Sequence, residues 1–230
     1  MARSIWLRQE RSGRGPAPEH SRARIAAAAV ELADEGGLDA VSMRKVAAAI
    51  GAGAASLYRY VETRDELLEL MADAAAGEID LSRPPSDDWR AGLVALAHEL
   101  REVYRRHPWM LDIAPGRVAL GPNTVDVLEY ALATMQDLDA PTAAKMEAFA
   151  LLNGFVALLV RTEKEMGGQT TEWHEAQAEF LASVVTAGRH PHLAAAFADP
   201  SPAPPRDTDM LEGVLPRVLT GLLDTSGDRP

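Results

Sequence analysis

The sequence predicts an all-α protein, a small N-terminal three-helix unit joined to a larger helical body. Three observations lead there. Apolar residues recur at three- and four-residue intervals along most of the chain, the spacing that lines one face of a helix. No segment alternates apolar and polar residues as a half-buried strand does, and no internal repeat is visible. The breaks between periodic segments carry helix-stopping glycines and prolines, with serine or threonine where a helix must start.

Residues 1–20 hold Arg, Gly, Pro and Ser without sustained periodicity, which predicts a flexible basic arm. Such an arm reads equally as a solubilising tail or as a DNA contact. Residues 21–81 form the first domain. Ser21 caps a helix whose Ile25, Ala29, Leu32 and Ala33 share a face, and Gly36-Gly37 ends it. Leu38 and Val41 close the base of its small core. Ser42 caps the next helix, which buries Met43, Val46, Ala47 and Ile50. Gly51 stops that helix by taking the left-handed backbone common at helix C-termini. Leu57 and Val61 give the third helix a narrow buried stripe. Thr63 and Glu66 make a capping box for a fourth helix, whose Leu67, Leu68, Leu70 and Met71 join the unit to the body.

Residues 82–225 form the body. The stretch SRPPSDD at 82–88 is a turn too short for a free linker. Leu93, Leu96, Ala97, Leu100 and Tyr104 make the next helix amphipathic until His107-Pro108 breaks it. Trp109, Met110, Leu111 and Ile113 form a short apolar insert. After GPN at 121–123 comes a helix carrying Val125, Leu128, Leu132 and Met135. Pro141 suits a helix first turn, and AFALLNGFVALLV at 148–160 is apolar nearly all round except Asn153. That helix should be buried on several faces, centrally or between subunits. A helix from about Thr171 to Ala187 follows Gly167-Gly168. After a proline-rich loop, the last helix carries Leu211, Val214, Leu215, Val218, Leu219 and Leu222, with Pro216 disturbing it or marking its start.

Composition bounds the function. The chain has 230 residues, 47% hydrophobic and 25% charged, enough for one large or two modest cores. Without cysteine there is no disulfide, thiolate metal site or cysteine nucleophile, which fits a reducing compartment. No apolar run approaches the roughly 20 residues that span a bilayer, and the N-terminus lacks a signal-like apolar core. A cytoplasmic protein with no membrane partner is expected. The net charge of −11 is adverse to nucleic acid. Its distribution is less so: Arg3, Arg8, Arg11, Arg14, Arg22 and Arg24 outnumber Glu10 and Glu19 before residue 31, and most acidic excess follows Leu68.

Helix, glycine turn and helix with exposed polar groups is the layout of a helix-turn-helix DNA reader, although a bland helical hairpin has the same periodicity. The segment A-x-x-I-G-x-x-x-x-S-L-Y-R-Y-V, followed by T-R-D-E-L-L, resembles the DNA-binding module of the tetracycline-repressor (TetR) family of bacterial regulators over about residues 21–76. A looser resemblance extends along most of the chain. It implies an all-α, homodimeric, ligand-responsive regulator, most often a repressor, on double-stranded operator DNA. Carried over from the family motif, Arg44 becomes the leading base reader, with Arg59 a second; arginine donates two hydrogen bonds to guanine. Ser42, Lys45, Ser56, Tyr58, Tyr60 and Arg64 match positions that touch backbone or adjoining bases, and Tyr58 packs internally in the alternative reading. Gly53, Ala54 and Ala55 depart from the longer polar residues of the family, shifting specificity to either side.

The same resemblance implies a four-helix dimer bundle, here from Phe155, Leu159, Leu211, Leu215, Val218, Leu219 and Leu222, although each could be plain core. It also implies a pocket for a small apolar or amphipathic effector. Trp89, Tyr104, Trp109, Met110, Met135, Met146, Phe149 and Asn153 are the candidates for its wall, again against a core reading. The stretches R-H-P-W-M and L-G-P-N resemble the tetracycline-repressor branch, but Ala119 stands where that branch has a metal-binding histidine. No metal or cofactor is expected. No phosphate loop, dinucleotide fingerprint or nucleophile elbow appears, so an enzyme is a weak alternative. A helical scaffold that has lost DNA binding is another.

Overall fold

The computed structural model describes residues 4–8, 20–113, 120–168, 171–198 and 210–223, and no strand occurs among them. Four helices make the N-terminal unit: α1 (Arg22–Gly36), α2 (Met43–Ala49), α3 (Ala54–Leu57) and α4 (Arg64–Ala76). The body holds α5 (Trp89–Arg106), α6 (Pro122–Thr134), α7 (Thr142–Gly168), α8 (Thr171–Thr186), α9 (Pro191–Ala198), α10 (Met210–Gly213) and α11 (Leu215–Leu223).

Local chemistry sets the helix ends. Ser21, Ser42 and Thr63 each accept a backbone N–H from the residue three positions on, satisfying a donor the helix cannot. The capping box at α4 is displaced by one residue: the Glu66 carboxylate takes the N–H of Glu62, not that of Thr63. Gly51 has φ 73°, which lets the chain reverse between α2 and α3 without the Cβ penalty. Pro216 falls in the first turn of α11, where its missing N–H costs nothing, and separates it from α10.

Packing joins the two parts. In the unit, Ile25, Ala29, Val46, Leu57, Val61, Leu67 and Met71 meet in one core. That core continues into the body through α4, which packs on α1 and on α6. α5, α7 and α11 form the centre of the body. Of the stripe expected on α6, Met135 is buried and Leu132 packs half-buried on the core, but Val125 is exposed, and Val127 and Ala131 are buried instead.

α7 is less enclosed than its composition predicts. Ala148, Leu152, Val156 and Val160 form one buried stripe, while Leu151 and Leu158 are exposed. The segment Thr142–Glu165 is also long and apolar enough to cross a membrane, contrary to the expectation that no run approaches that length. Its buried stripe packs against α5 and α11 instead.

The flexible arm is corrected in part. Ile5–Leu7 form a single 3-10 turn, and the Ile5 side chain is buried in the core. Arg22 donates to the Ile5 and Arg8 carbonyls at 2.8 and 2.9 Å, and Arg8 pairs with Glu62 and Glu66. Residues 1–3 and 9–19, with Arg3, Arg11 and Arg14, lie outside the described residues.

Candidate nucleic-acid interface and internal cavity

α2, the Gly51 turn and α3 present one outer face. Arg44 and Lys45 project from α2, exposed and without an ion pair among the described residues. α3 is a single turn, extended by backbone bonds from Tyr60 and Val61 back to the Leu57 carbonyl. Tyr58 ends it half exposed, so it is not the internally packed residue of the alternative reading. Arg59 is exposed, and its guanidinium donates to the Ser56 hydroxyl at 2.7 Å. Gly53, Ala54 and Ala55 lie exposed between these cations, and a Cβ on Gly53 would meet nothing within 4 Å. The backbone there can approach a partner closely.

Three candidates have other occupations. Arg64 donates to the Val41 and Leu38 carbonyls, tying α4 to the loop before α2. Ser42 spends its hydroxyl as the α2 cap, and Tyr60 is half-buried against the core. The described arginines of the basic start are likewise engaged within the chain: beyond Arg8 and Arg22, exposed Arg24 donates to the Ile50 carbonyl. Among the described residues, the outward cations of the α2–α3 surface without an ion pair are Arg44, Lys45 and Arg59.

A partly open cavity of about 130 Å³ lies between the unit and the body. Ala72 and Ala76 of α4, with Ile79 just beyond, form one side. Leu100, Val103 and Tyr104 of α5 form another, and Thr124 and Val127 of α6 a third. Phe149 and Asn153 of α7 close it, with Met110 and Ile113. Tyr104, Met110, Phe149 and Asn153 are thus brought together. Trp89, Trp109, Met135 and Met146 are not: Trp89 lies under the Arg90 guanidinium, Met135 is fully buried core and Met146 is exposed. Ala72, Ala76 and Thr124 were missed because small residues on separate helices give no sequence signal of a shared wall.

Two polar clusters join unit to body beside the cavity. Asp73 of α4, buried, accepts from the Thr124 backbone N–H at 2.9 Å, the Thr124 hydroxyl at 3.1 Å and the Asn123 amide at 3.2 Å. It therefore caps α6, whose own N-cap Gly121 offers no side chain. A Cβ on Gly121 would lie 2.3 Å from the Asp73 carboxyl carbon, so only glycine admits the contact. In the second cluster, buried His107 sets Nδ1 2.8 Å from Asp34 of α1 and Nε2 3.1 Å from Glu78. Trp109 donates to the same Asp34 oxygen at 2.7 Å, so this ring is a joint and not a cavity wall. Desolvation would raise the Glu78 carboxyl, but hydrogen bonds from His107 and Arg106 outweigh it and hold the group below its ordinary range. Among the described residues no cluster of three or more His, Asp or Glu is placed to hold a metal. Ala119 lies outside them.

The dimer candidates divide. Leu211, Leu215 and Leu219 are buried against α5 and α7 of their own chain, because the i, i+4 stripe of α10–α11 serves the monomer core. Val218 and Leu222 are exposed, Phe155 and Leu159 half-buried, and Leu151 and Leu158 of α7 share the outward side.

Comparison with known proteins follows the same division. Residues 25–71 match the family described as bacterial regulatory proteins, tetR family, and residues 81–225 match the tetracyclin repressor-like C-terminal domain. The chain is 35% identical over 229 residues to the HTH-type transcriptional repressor DrrR1 of Streptomyces coeruleorubidus, spanning 95% of this chain and 83% of that protein. It is 35% identical over 160 residues to an HTH-type transcriptional regulator of Saccharopolyspora erythraea, spanning 70% of this chain and 67% of that one. The crystal structure of apo ActR from Streptomyces coelicolor is similar at TM-score 0.71 and 28% identity, over 92% of this chain and 100% of that one. ActR in complex with actinorhodin is similar at TM-score 0.72 and 26% identity, over 91% and 98%.

Proposed function

This chain belongs to the tetR family of bacterial regulatory proteins, and from that premise we propose that it represses transcription as a homodimer released from its operator by a small molecule. One α2–α3 reader offers few base contacts. Two of them, related by a twofold axis and spaced about 34–36 Å, fit a palindromic site. Arg44 and Arg59 read base edges, while Lys45 and Tyr58 anchor phosphates. Exposed Leu151, Leu158, Val218 and Leu222, with Phe155, form the subunit contact. Work on DNA places the protein in the cytoplasm, and we assign it no catalytic reaction.

One observation carries the ligand response: a wall of the cavity is α4, the last helix of the DNA-reading unit. A ligand larger than the cavity presses directly on Ala72 and Ala76 and on Thr124, the residue whose N–H and hydroxyl hold Asp73. Widening there moves α4 against α6 and changes the spacing of the two readers. The ligand must bind the widened state more tightly, since equal affinity for both states shifts nothing. The neighbour ActR, solved in complex with actinorhodin, supports a small-molecule effector for this fold.

The test is selection of bound genomic fragments by the purified protein, followed by titration of the selected site at several salt concentrations. A palindromic site lost on Arg44→Ala is the expected result. Absence of sequence preference at every salt concentration would favour the scaffold reading instead.

A further inference from the structure

We propose that the cavity selects an uncharged, ring-shaped apolar ligand by one acceptor oxygen, a ketone, quinone or ester carbonyl, hydrogen-bonded to Asn153 Nδ2. The proposal rests on reading this cavity as the effector site. Its chemistry follows from which polar atoms are already engaged.

Three side chains bring polar atoms to the wall: Tyr104, Thr124 and Asn153. The Tyr104 hydroxyl donates to Asn153 Oδ1 at 3.0 Å, and the Thr124 hydroxyl donates to Asp73 at 3.1 Å. Both hydroxyl protons are therefore committed. Burial pushes the Tyr104 phenol above its ordinary range, against a smaller opposing effect of its bond to Asn153, so it stays a protonated donor. With its oxygen occupied by Tyr104, Asn153 keeps two amide N–H groups. These are the uncommitted side-chain donors among the described lining residues, and they ask for an acceptor.

Charge is excluded by the rest of the wall. No Lys, Arg, His, Asp or Glu lines the cavity among the described residues. A ligand carboxylate or ammonium would lose its water with no opposite charge on the wall to replace it. The carboxyl of Asp73, just behind Thr124, makes an anion worse still. Size narrows the class further: about 130 Å³ compares with the roughly 150 Å³ of an engineered apolar cavity that binds benzene. One ring fits the cavity as it stands; a second fused ring requires the α4–α6 widening that repression release needs.

The probes are three naphthalenes substituted at the same ring position: methyl naphthyl ketone, ethylnaphthalene and naphthoate. Calorimetry on the full chain compares wild type, Asn153→Leu, Tyr104→Phe and the cavity-filling Ala76→Phe. In wild type the ketone should bind roughly 3- to 10-fold tighter than the ethyl compound, the worth of one neutral hydrogen bond, and naphthoate weakest. Asn153→Leu should bring ketone and ethyl compound within about twofold, whereas Tyr104→Phe should retain the preference because the amide donor remains. Equal binding of ketone and ethyl compound by wild type overturns the proposal without relying on any variant. So does tighter binding of naphthoate, a preference that survives Asn153→Leu, or no binding by any probe. The effector reading is judged separately: ketone binding blocked by Ala76→Phe but without effect on operator affinity sinks that reading and leaves the selectivity standing.

Discussion

Asp73→Ala tests how the DNA-reading unit is held to the body. Asp73 is 4% exposed and takes the Thr124 N–H in the first turn of α6, the Thr124 hydroxyl and an Asn123 amide proton. Alanine removes a helix cap, worth about 0.5–2 kcal/mol. It also leaves buried donors without partners, worth about 1–3 kcal/mol more. Water entering the vacated space offsets part of this, so the net loss is about 2–4 kcal/mol. For a chain of this size that lowers the melting temperature by about 5–15 °C. Asp73→Asn keeps one acceptor oxygen and should lose about half as much. Thermal unfolding checks both values, and hydrogen exchange checks their location: protection should fall in α4 and the first turn of α6 before α7. A melting temperature for Asp73→Ala within about 1 °C of wild type, or Asn as harmful as Ala, would refute the capping argument.

Four further outcomes are expected. Arg44→Ala should weaken operator binding by about 5- to 150-fold, the range of one bidentate arginine–guanine contact, with an unchanged melting curve; a gel shift at fixed salt measures it. Leu158→Glu or Val218→Glu should yield folded monomers in sedimentation, whereas Leu219→Asp should unfold the chain because Leu219 is wholly buried; a folded monomer from Leu219→Asp contradicts the burial assignment. Gly121→Ala should destabilise by about 1–3 kcal/mol, since its Cβ enters the space of Asp73 and Trp6, and thermal unfolding reads the loss. Glu78, held low in the folded chain, binds its proton more readily when unfolded. Its contribution is thus complete above about pH 4.5 and is lost as pH falls through the folded value. Glu78→Gln should flatten that acid limb of a stability–pH curve, and an unaltered limb counts against the His107–Glu78 contact.

The helix-turn-helix was legible because its signals are local. Ser42, Gly51 and Thr63 act on backbone groups within four residues of themselves, and their caps and turn occur where the spacing predicts. The buried stripes of α1, α2 and α5 followed from periodicity for the same reason. α6 misled in part: Met135 is buried as its spacing predicts, but Val125 is exposed, and Val127 and Ala131 face the core. Which face turns inward is set by the packing of α4 and α5 on α6, and no property of α6 alone records that placement. Arg64 and Arg24 misled similarly, since an arginine reads as a surface cation until a backbone carbonyl from a distant loop is found beside it.

By itself the sequence determined the order of the main helices apart from α9, the serine and threonine caps and the family, all of which depend on residues near one another along the chain. Only the tertiary structure decided which cations remain free for DNA, which apolar faces stay outside, and where a cavity opens. Those outcomes depend on pairs such as Asp73 with Thr124 and Tyr104 with Asn153. Such partners lie on different helices, and their hydrogen bonds exist only once packing has removed competing water.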